Sequence, residues 1–226
     1  MKTTIVLADD HELVGKSISA LLRDESDFDV IGECQNGRDL LRLVESLRPD
    51  VAIVDVAMPD LNGIEAALRL RDMAGTTRVI ILTSYTDEGY LRGALDARVA
   101  GYIVKSGVAD DLIQAIRIGT RRCPYFSPQV ALIARELRSA DPHRTDGVRA
   151  GSHKLSPRER EVLQLIAEGS STVEIASRLE ISQSTAKDHR KHIKEKLDIH
   201  NTAGLTRYAI AIGLIRGATD PAPKGD

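Results

Sequence analysis

The sequence contains few of the residues that mark several classes of protein. It has no tryptophan, two phenylalanines and five tyrosines among 226 residues, so its core must be largely aliphatic. Its two cysteines, Cys34 and Cys123, belong to no CxxC or Cys/His cluster, which excludes a cysteine-rich metal site and is typical of a reducing cytosol. No apolar run approaches the roughly 18–20 residues of a membrane-spanning helix, and the N-terminus has no signal-peptide pattern. We therefore expect a cytoplasmic protein without a membrane segment.

Charge is unevenly distributed along this chain, whose net charge is −2. Residues 1–138 carry 17 Lys and Arg against 21 Asp and Glu, a net charge of −4. Residues 154–216 carry 11 against 8, a net charge of +3, and the segment Lys187–Lys196 alone holds five basic side chains. An acidic first part and a basic patch near the end indicate different partners for the two parts.

Short apolar runs alternate with helix-patterned stretches from Met1 to about Arg121. The runs are four to six residues long and rich in Val and Ile, which is typical of buried parallel strands. This alternation predicts a doubly wound, five-stranded parallel sheet with right-handed crossovers. The predicted strands are Thr3–Ala8, Val30–Glu33, Val51–Val54, Val79–Leu82 and Gly101–Val104. The predicted helices are Leu13–Arg23, Asp39–Leu47, Ile64–Met73, Asp87–Ala97 and Ala109–Arg121, with a further helix at Pro128–Leu137.

A different pattern begins at Ser139. Residues 139–153 contain Pro, Gly, Ser and several charges without periodicity, a composition that predicts a flexible linker. Four short helices with marked starts follow, and the first two starts, Ser156–Glu159 and Ser171–Glu174, are capping boxes. The second and third helices, joined by a short turn, predict a helix-turn-helix. The predicted N-caps are Ser156, Ser171, Ser182 and Asn201.

Polar side chains stand at the carboxyl ends of four predicted strands. Asp9 and Asp10 follow the first strand, and Asp55, Thr83 and Lys105 follow the third, fourth and fifth. Because ligands bind at the carboxyl edge of an open α/β sheet, we expect these side chains to converge. Three carboxylates, a hydroxyl and an ammonium group can together bind a divalent cation, support the phosphorylation of one carboxylate and contact the phosphorylated product.

Phosphorylation of a carboxylate requires charge screening, because the nucleophile and the phosphoryl group are both negative. A hard cation such as Mg²⁺ binds one or two carboxylates together with phosphate oxygens and water. We predict Asp9 and Asp10 as Mg²⁺ ligands, with Asp55 as the third ligand and the nucleophile. Lys105 is predicted to pair with the phosphoryl oxygens as a point charge, and Thr83 to donate its hydroxyl to them.

The strand-end residues belong to a longer motif in residues 1–121. It consists of Asp9-Asp10, Asp55 followed by Met58-Pro59 and Gly63, Thr83, and Tyr102 three positions before Lys105. With this motif, residues 1–121 resemble the receiver domain of bacterial two-component response regulators over their whole length. The resemblance implies that Asp55 accepts a phosphoryl group from a sensor histidine kinase and that the backbone carbonyl of Ala57 is a further Mg²⁺ ligand. It also implies a switch, in which Thr83 moves toward the phosphoryl group and the ring of Tyr102 turns inward.

Each of these residues has a simpler explanation when it is taken alone. The acid pair can cap a helix, and a polar residue after a strand can belong to a turn. Taken together, however, five suitable residue types at strand ends favour the phosphoryl site. One position departs from the family pattern, since Ser106 replaces the Pro that usually follows the Lys, often after a cis bond. A cis bond before a non-proline residue costs about 2.5–4 kcal/mol, which leaves the loop geometry at Ser106 open.

Residues 155–215 contain a dense motif that consists of Leu155–Leu163, Ala167-Glu168-Gly169, Glu174-Ile175-Ala176, Leu179, Ile181-Ser182, Thr185-Ala186-Lys187, His189, Ile193, Lys196-Leu197 and Gly213-Leu214-Ile215. In these positions the segment resembles the LuxR-type helix-turn-helix of the NarL/FixJ response-regulator subfamily. The resemblance implies binding to inverted-repeat half-sites in double-stranded DNA, with the fourth helix pairing two copies of the domain.

Helical periodicity divides the third helix of this region into two faces. One stripe is predicted to pack inward, and the opposite stripe is available to a major groove. The inward stripe consists of Ala186, His189 or Arg190, Ile193 and Leu197. Asp188 has two open interpretations, because it can accept from a cytosine amino group or simply repel phosphate. The predicted DNA-binding residues are Ser184, Thr185, Lys187, Asp188, Arg190, Lys191 and Lys194, with the lysines and arginine reaching guanine edges or phosphates.

Together these patterns predict a phosphorylation-dependent DNA-binding transcriptional regulator that is not an enzyme and that forms a homodimer when phosphorylated, with RNA polymerase as a possible further partner. Two rivals are an aspartate-dependent phosphohydrolase, which by resemblance has an Asp where this chain has Ala57, and a regulator that binds DNA without phosphorylation. The predicted parts are a receiver domain at residues 1–121, an extra helix at 122–138, a flexible linker at 139–153, the DNA-binding domain at 154–216 and a disordered tail at 217–226.

Overall fold

The computed structural model describes residues 1–139, apart from 74, 87, 106, 107 and 120, and residues 155–215. The chain divides into two compact units, residues 1–139 and 140–226. The predicted linker, apart from Ser139, and the predicted tail lie outside the described residues, as does the peptide geometry at Ser106. The boundaries proposed for the five parts of the chain remain predictions.

The first unit is built on a parallel sheet, which confirms the predicted fold class. The order of the strands is β2-β1-β3-β4-β5-β6, and every pair in this order is parallel. The strands are β1 (Thr3–Ala8), β2 (Phe28–Cys34), β3 (Val51–Asp55), β4 (Arg78–Thr83), β5 (Gly101–Val104) and β6 (Tyr125–Phe126).

The sixth strand corrects the prediction of five. β6 is two residues long, too short for any periodicity to reveal it, and it forms because the edge of β5 offers unpaired backbone groups. The Tyr125 amide donates to the carbonyl of Ala100 at 2.9 Å, and the Ser127 amide donates to the carbonyl of Tyr102 at 3.0 Å. The strand therefore extends the sheet next to the segment that leads to Lys105.

Six helices accompany this sheet in the described part of the first unit. Their bounds differ from the predicted ones by one to three residues at most ends, where helix boundaries are least determined by sequence pattern. The helices are α1 (Glu12–Asp24), α2 (Gly37–Leu47), α3 (Gly63–Asp72), α4 (Glu88–Asp96), α5 (Val108–Ile118) and α6 (Pro128–Ser139).

Aliphatic residues fill both faces of the sheet. One cluster contains alternate residues of β1, β3 and β4 with α2, α3, α4 and α6, and the other contains the intervening residues with α1 and α5. This is the consequence of side chains alternating across a strand between two covering layers of helices. The central strands β3, β4 and β5 are consequently buried almost along their whole length, and their polar residues lie at the ends.

The second unit, in its described residues, consists of four helices with polar caps. The two predicted capping boxes are confirmed: each serine accepts from the amide of the glutamate three positions on, and each glutamate accepts from the serine amide. Ser182 accepts from the Thr185 amide at 3.0 Å, and Asn201 accepts from the Gly204 amide at 2.7 Å. The helices are α7 (Pro157–Ala167), α8 (Thr172–Arg178), α9 (Gln183–Leu197) and α10 (Thr202–Ala211).

Candidate functional site

The carboxyl edge of the sheet brings the predicted acids together. Asp9 and Asp55 are buried, with 2% of each side chain exposed, whereas Asp10 is half-buried. One ligand atom from each of Asp9, Asp10, His11 and Asp55 lies within 4.8 Å of the others. β1 and β3 are neighbours in the sheet, so the ends of these two strands determine where the acids lie.

Lys105 joins the two buried acids. Its Nζ lies 2.7 Å from Asp9 Oδ2 and 3.1 Å from Asp55 Oδ2, at the end of β5. Burial raises the pKa of the Asp55 carboxyl above its ordinary value; the Lys105 ammonium opposes this shift and the Asp9 carboxylate adds to it. The ammonium group therefore offsets the repulsion between two carboxylates that the fold holds close together.

The backbone around Asp55 leaves no room for a side chain at Gly63. A Cβ on Gly63 would overlap the carbonyl oxygen of Asp55 and lie 2.9 Å from Val54 Cγ1. The Gly63 amide donates to the Val56 carbonyl at 2.9 Å, and Asn62 caps α3 by accepting from the amide of Glu65. The glycine allows α3 to begin directly against the end of β3, which holds Asp55 in place.

The predicted switch residues both contact the segment at Tyr85. Thr83 is buried at the end of β4, and its Oγ1 accepts from the Tyr85 amide at 3.2 Å. Tyr102 is buried, and its hydroxyl donates to the Tyr85 carbonyl at 2.9 Å. The rings of Tyr85 and Tyr90 pack with their centroids 5.0 Å apart. The ring of Tyr102 thus lies inward, in contact with the loop that follows Thr83.

Sequence reasoning missed a polar network beside β5. Ser127 is buried; its Oγ accepts from the Val104 amide at 3.1 Å and donates to Asp111 Oδ2 at 2.8 Å. The Tyr125 hydroxyl donates to the other Asp111 oxygen at 2.7 Å. These contacts tie β6 and the start of α6 to the residue that precedes Lys105. No periodicity marks them, because the partners are 14 to 23 residues apart in the chain.

The donor set of the acid cluster fits a divalent cation. Carboxylate oxygens are the ligands that Mg²⁺ and similar ions prefer, and the four ligand atoms lie close enough together for one ion to contact several of them. Ala57 lies half-buried two residues beyond Asp55, and the role of its carbonyl as a ligand stays a prediction. His11, the fourth member of the cluster, was not predicted, although its position directly after the acid pair was a signal.

The predicted DNA-binding residues lie along one helix, α9. Ser184, Thr185, Lys187, Asp188 and Lys191 are exposed, and Arg190 and Lys194 are half-buried. Ala186 and Ile193 are buried on the opposite side, which agrees with the predicted inward stripe. His189 and Arg190 are both half-buried, so the structure does not choose between them as the fourth member of that stripe.

Two basic side chains, Lys196 and Arg158, join α7 to its neighbouring helices. Lys196 Nζ lies 2.7 Å from Oε2 of Glu159, the capping residue of α7, so this lysine is engaged within the unit. Arg158 contacts the buried Glu161 at 2.8 Å and donates to the Leu179 carbonyl at the end of α8 at 2.6 Å. The Lys196–Glu159 pair joins α7 to α9. The Arg158–Glu161 pair lies within α7, and it is the hydrogen bond from Arg158 to the Leu179 carbonyl that joins α7 to α8.

Comparisons with known proteins agree with both units. Residues 5–117 match the response regulator receiver domain, and residues 153–209 match the bacterial regulatory proteins of the luxR family. The response regulator protein VraR of Staphylococcus saprophyticus is 33% identical over 216 residues, which cover 96% of this chain and 100% of VraR. The transcriptional regulatory protein MctR of Rhizobium johnstonii is 34% identical over 214 residues, covering 95% of this chain and 96% of MctR.

A solved structure of RcsB from Salmonella enterica serovar Typhimurium, bound to the promoter P1flhDC with the phosphomimetic BeF3⁻, is also similar. Its TM-score is 0.56 at 27% identity, over 95% of this chain and 100% of that one. A structure of two RcsB dimers bound to two parallel DNAs has a TM-score of 0.58 at 26% identity, over 94% and 100% of the two chains.

Fold, acid pocket and basic helix define a regulator with a phosphoryl-accepting module and a DNA-binding module. The chain belongs to the response regulators that combine a receiver domain with a LuxR-type helix-turn-helix domain. It is a phosphorylation-regulated transcription factor of a two-component system, in a family of DNA-binding regulators rather than classical enzymes. Among the described residues, no helix is long and apolar enough to cross a membrane.

Proposed function

We propose that Asp55 is the phosphoryl acceptor and that a sensor histidine kinase is the donor. One carboxylate oxygen of Asp55 forms a bond to phosphorus while the bond from phosphorus to the donor imidazole nitrogen breaks, and the imidazole leaves. The observation that carries this assignment is the joint contact of Lys105 with Asp9 and Asp55 at the end of the sheet. Asp55 is the acid at the centre of that edge, since β3 lies between β1 and β4.

The other residues of the pocket have roles that follow from their charges and positions. Asp9, Asp10, Asp55 and the Ala57 carbonyl would hold Mg²⁺, which when bound screens the negative charges that meet during transfer. Lys105 is then available to pair with the phosphoryl oxygens. Since Ala57 has no ionisable side chain, the pocket lacks the general acid that a phosphohydrolase would use at that position. We therefore infer regulation rather than catalytic turnover.

Thr83 and Tyr102 would transmit the change to the surface of the unit. Both contact Tyr85, so a movement of the Thr83 hydroxyl toward the phosphoryl group would alter the loop on which the Tyr102 hydroxyl rests. Tyr102 also shares its core cluster with residues of α4 and α6. A shift in this cluster would reach α6, the helix that leads out of the receiver unit. Phosphorylation would thereby change the populations of two conformations of the receiver rather than create a new fold.

The exposed face of α9 is the proposed DNA-reading surface. Lys187 and Lys191 are exposed on it and would contact guanine edges or phosphates, while Arg190 and Lys194 would contact the backbone. Ser184, Thr185 and Asp188 complete the face near the start of the helix. Phosphorylation would favour a homodimer, with α10 pairing two DNA-binding units on inverted half-sites and Ile210 exposed on that helix. RNA polymerase remains a further proposed partner, and the cytoplasm the proposed location.

The phosphoryl acceptor is tested by intact mass. The full chain is incubated with Mg²⁺ and a small phosphodonor, beside Asp55→Asn as the control. One added phosphoryl group on the wild type, and none on the variant, is the expected result. Modification of both proteins would place the acceptor elsewhere, and modification of neither would remove phosphoryl transfer from the proposed function.

A further inference from the structure

His11 places an imidazole nitrogen inside the acid cluster. Its Nδ1 lies 2.8 Å from Asp10 Oδ1 and 3.6 Å from Asp9 Oδ1. The residue occupies the N-cap position of α1 with extended backbone, yet its side chain makes no capping hydrogen bond. Its own amide instead donates to Asp9 Oδ1 at 2.9 Å. The ring and the backbone amide of His11 thus both face the same Asp9 carboxylate oxygen.

The spacing of these atoms is that of neighbouring ligands around one ion. Divalent metals bind oxygen and imidazole nitrogen at about 2.0–2.1 Å, so adjacent ligands of an octahedral ion are about 3.0 Å apart. The separations of His11 Nδ1 from the two carboxylate oxygens, 2.8 and 3.6 Å, lie on either side of that value. The ring can therefore enter the coordination sphere with only small adjustments of the side chains.

Nitrogen and oxygen donors select different metals. Mg²⁺ is bound by carboxylates, carbonyls and water, and it seldom takes nitrogen ligands, whereas imidazole suits Zn²⁺ and other divalent transition ions. An added nitrogen therefore increases the affinity for transition ions and leaves the affinity for Mg²⁺ nearly unchanged. The difference depends on the chemistry of one side chain, because the three carboxylates are shared by both kinds of ion.

We propose that His11 is a direct ligand when a divalent transition ion such as Zn²⁺ occupies the pocket. The receiver unit would then bind a second class of metal ion, the borderline transition ions, which compete with Mg²⁺ for the same carboxylates. This inference rests on the proposed metal site at Asp9, Asp10 and Asp55, and it adds a nitrogen donor that sets metal preference. Zinc bound in this way would exclude Mg²⁺ from the phosphoryl pocket.

The test measures the binding of Zn²⁺ and Mg²⁺ to the full chain by equilibrium dialysis. His11→Ala is compared with His11→Asn, which places a side chain able to cap at the start of α1, and with His200→Ala. His200 is a matched control, because it is an exposed histidine that lies 3.4 Å from a carboxylate oxygen of Asp198. Circular dichroism establishes that the variants are folded.

Both His11 variants are expected to bind Zn²⁺ at least about tenfold more weakly, since even the loss of an outer partner of a ligand costs 10–100-fold. Mg²⁺ binding should change less than about twofold, as expected for an ion that prefers oxygen, and His200→Ala should bind both ions like the wild type. An equal loss of Mg²⁺ and Zn²⁺ affinity in the His11 variants, or no loss of either, would overturn the nitrogen-ligand proposal.

Two further measurements separate this proposal from the metal site itself. Electron paramagnetic resonance of Cu²⁺ bound at the pocket should show coupling to an imidazole nitrogen in the wild type that is lost in His11→Asn. A nitrogen signal that persists in that variant would contradict the assignment. Asp55→Asn should weaken Mg²⁺ and Zn²⁺ together. If Asp55→Asn alters neither ion, the proposed metal site fails; if it alters both while His11 variants alter none, only the role of His11 fails.

Discussion

The receiver unit and the DNA-binding unit hold their working side chains in opposite ways. In the receiver, the acids, the hydroxyl and the ammonium stand at the ends of buried strands, and Asp9, Asp55 and Thr83 are themselves buried. In the DNA-binding unit, the predicted contacts of α9 are exposed or half-buried, and the buried carboxylates Glu159 and Glu161 pair with basic side chains that join helices. In the first unit, the same buried residues therefore serve both the function and the packing of the fold. In the second unit, different residues serve the two purposes.

The largest expected effect tests the coupling of packing and function in the receiver. Gly63→Ala forces a Cβ onto the Asp55 carbonyl, and we expect it to destabilise the unit by about 3 kcal/mol, at the upper end of overpacking costs. The same change should displace Asp55 and slow its phosphorylation. Chemical unfolding and intact mass after treatment with a phosphodonor measure the two effects.

Gly15→Ala is the matched control for that change. Gly15 lies inside α1, and a Cβ there would meet only Asp9 Cβ at 3.9 Å, an ordinary contact. The substitution should stabilise the unit by up to about 1 kcal/mol, because alanine favours a helix over glycine. If Gly63→Ala were as stable and as readily phosphorylated as Gly15→Ala, packing and function would not be coupled in the receiver unit.

The second prediction concerns buried and exposed ion pairs in the two units. Arg158 and Arg92 have side chains that are each 32% exposed, but the partner Glu161 is fully buried and the partner Glu88 is 62% exposed. Arg158→Met should cost about 2 kcal/mol, because it leaves a buried carboxylate with less compensation, and Arg92→Met about 0.5 kcal/mol or less.

Hydrogen exchange measured separately in the two units gives both values for the full chain. Methionine matches arginine in helix propensity, so the difference reports the contacts of Arg158 with Glu161 and the Leu179 carbonyl rather than the helix. Equal costs for the two substitutions would mean that burial of Glu161 does not strengthen its pair with Arg158.

The third prediction separates DNA contact from helix packing on α9. Lys191→Ala should reduce the slope of log K against log salt by about one unit, as expected for one lost phosphate contact. Lys196→Met should leave that slope unchanged and cost about 1 kcal/mol of stability, because its ammonium contacts Glu159. Binding titrations at several salt concentrations and thermal unfolding of both variants measure the two effects. A changed slope in Lys196→Met would place that lysine on the DNA.

The smallest expected effect is a pH dependence in the DNA-binding unit. Burial of Glu159 opposes its ionisation, but the Lys196 ammonium and the Ser156 donors outweigh this and hold its pKa below the ordinary value of 4.5. The carboxylate therefore stabilises the folded unit at pH above that value, and this contribution is lost as the pH falls through the lowered pKa.

Unfolding of the full chain between pH 7 and pH 3 tests this sign. Glu159→Gln should be less stable than the wild type at neutral pH, and the difference should shrink on the acid side. Lys196→Met should raise the pKa of Glu159, which nuclear magnetic resonance measures directly. A difference between wild type and Glu159→Gln that grows toward low pH would contradict the assigned direction.

The sequence predicted those features that depend on periodicity or on the position of a residue at a strand end. The alternation of short apolar runs determined the sheet and placed Asp55, Thr83 and Lys105 at one edge. The capping boxes of α7 and α8 were readable because a cap requires its two partners three residues apart. Such patterns are local in the chain, and their physical cause is local too.

The features that sequence reasoning missed depend on contacts between distant residues. β6 is too short for a period of two to show, and Ser127 meets Asp111 across 16 positions. Glu159 and Lys196 are 37 positions apart, so nothing local marks the pair. His11 is a different case, since it follows the acid pair directly and only the cap geometry of α1 places its ring among the carboxylates.

The central claim is that phosphorylation at Asp55 controls DNA binding, and one measurement tests it most directly. A duplex selected from a random library by the phosphorylated full chain is titrated with phosphorylated protein, unphosphorylated protein and Asp55→Asn treated with the phosphodonor. The account predicts that phosphorylated wild type binds about tenfold more tightly than the other two, within the usual range of coupling between sites. Equal affinity of all three proteins for that duplex would contradict it.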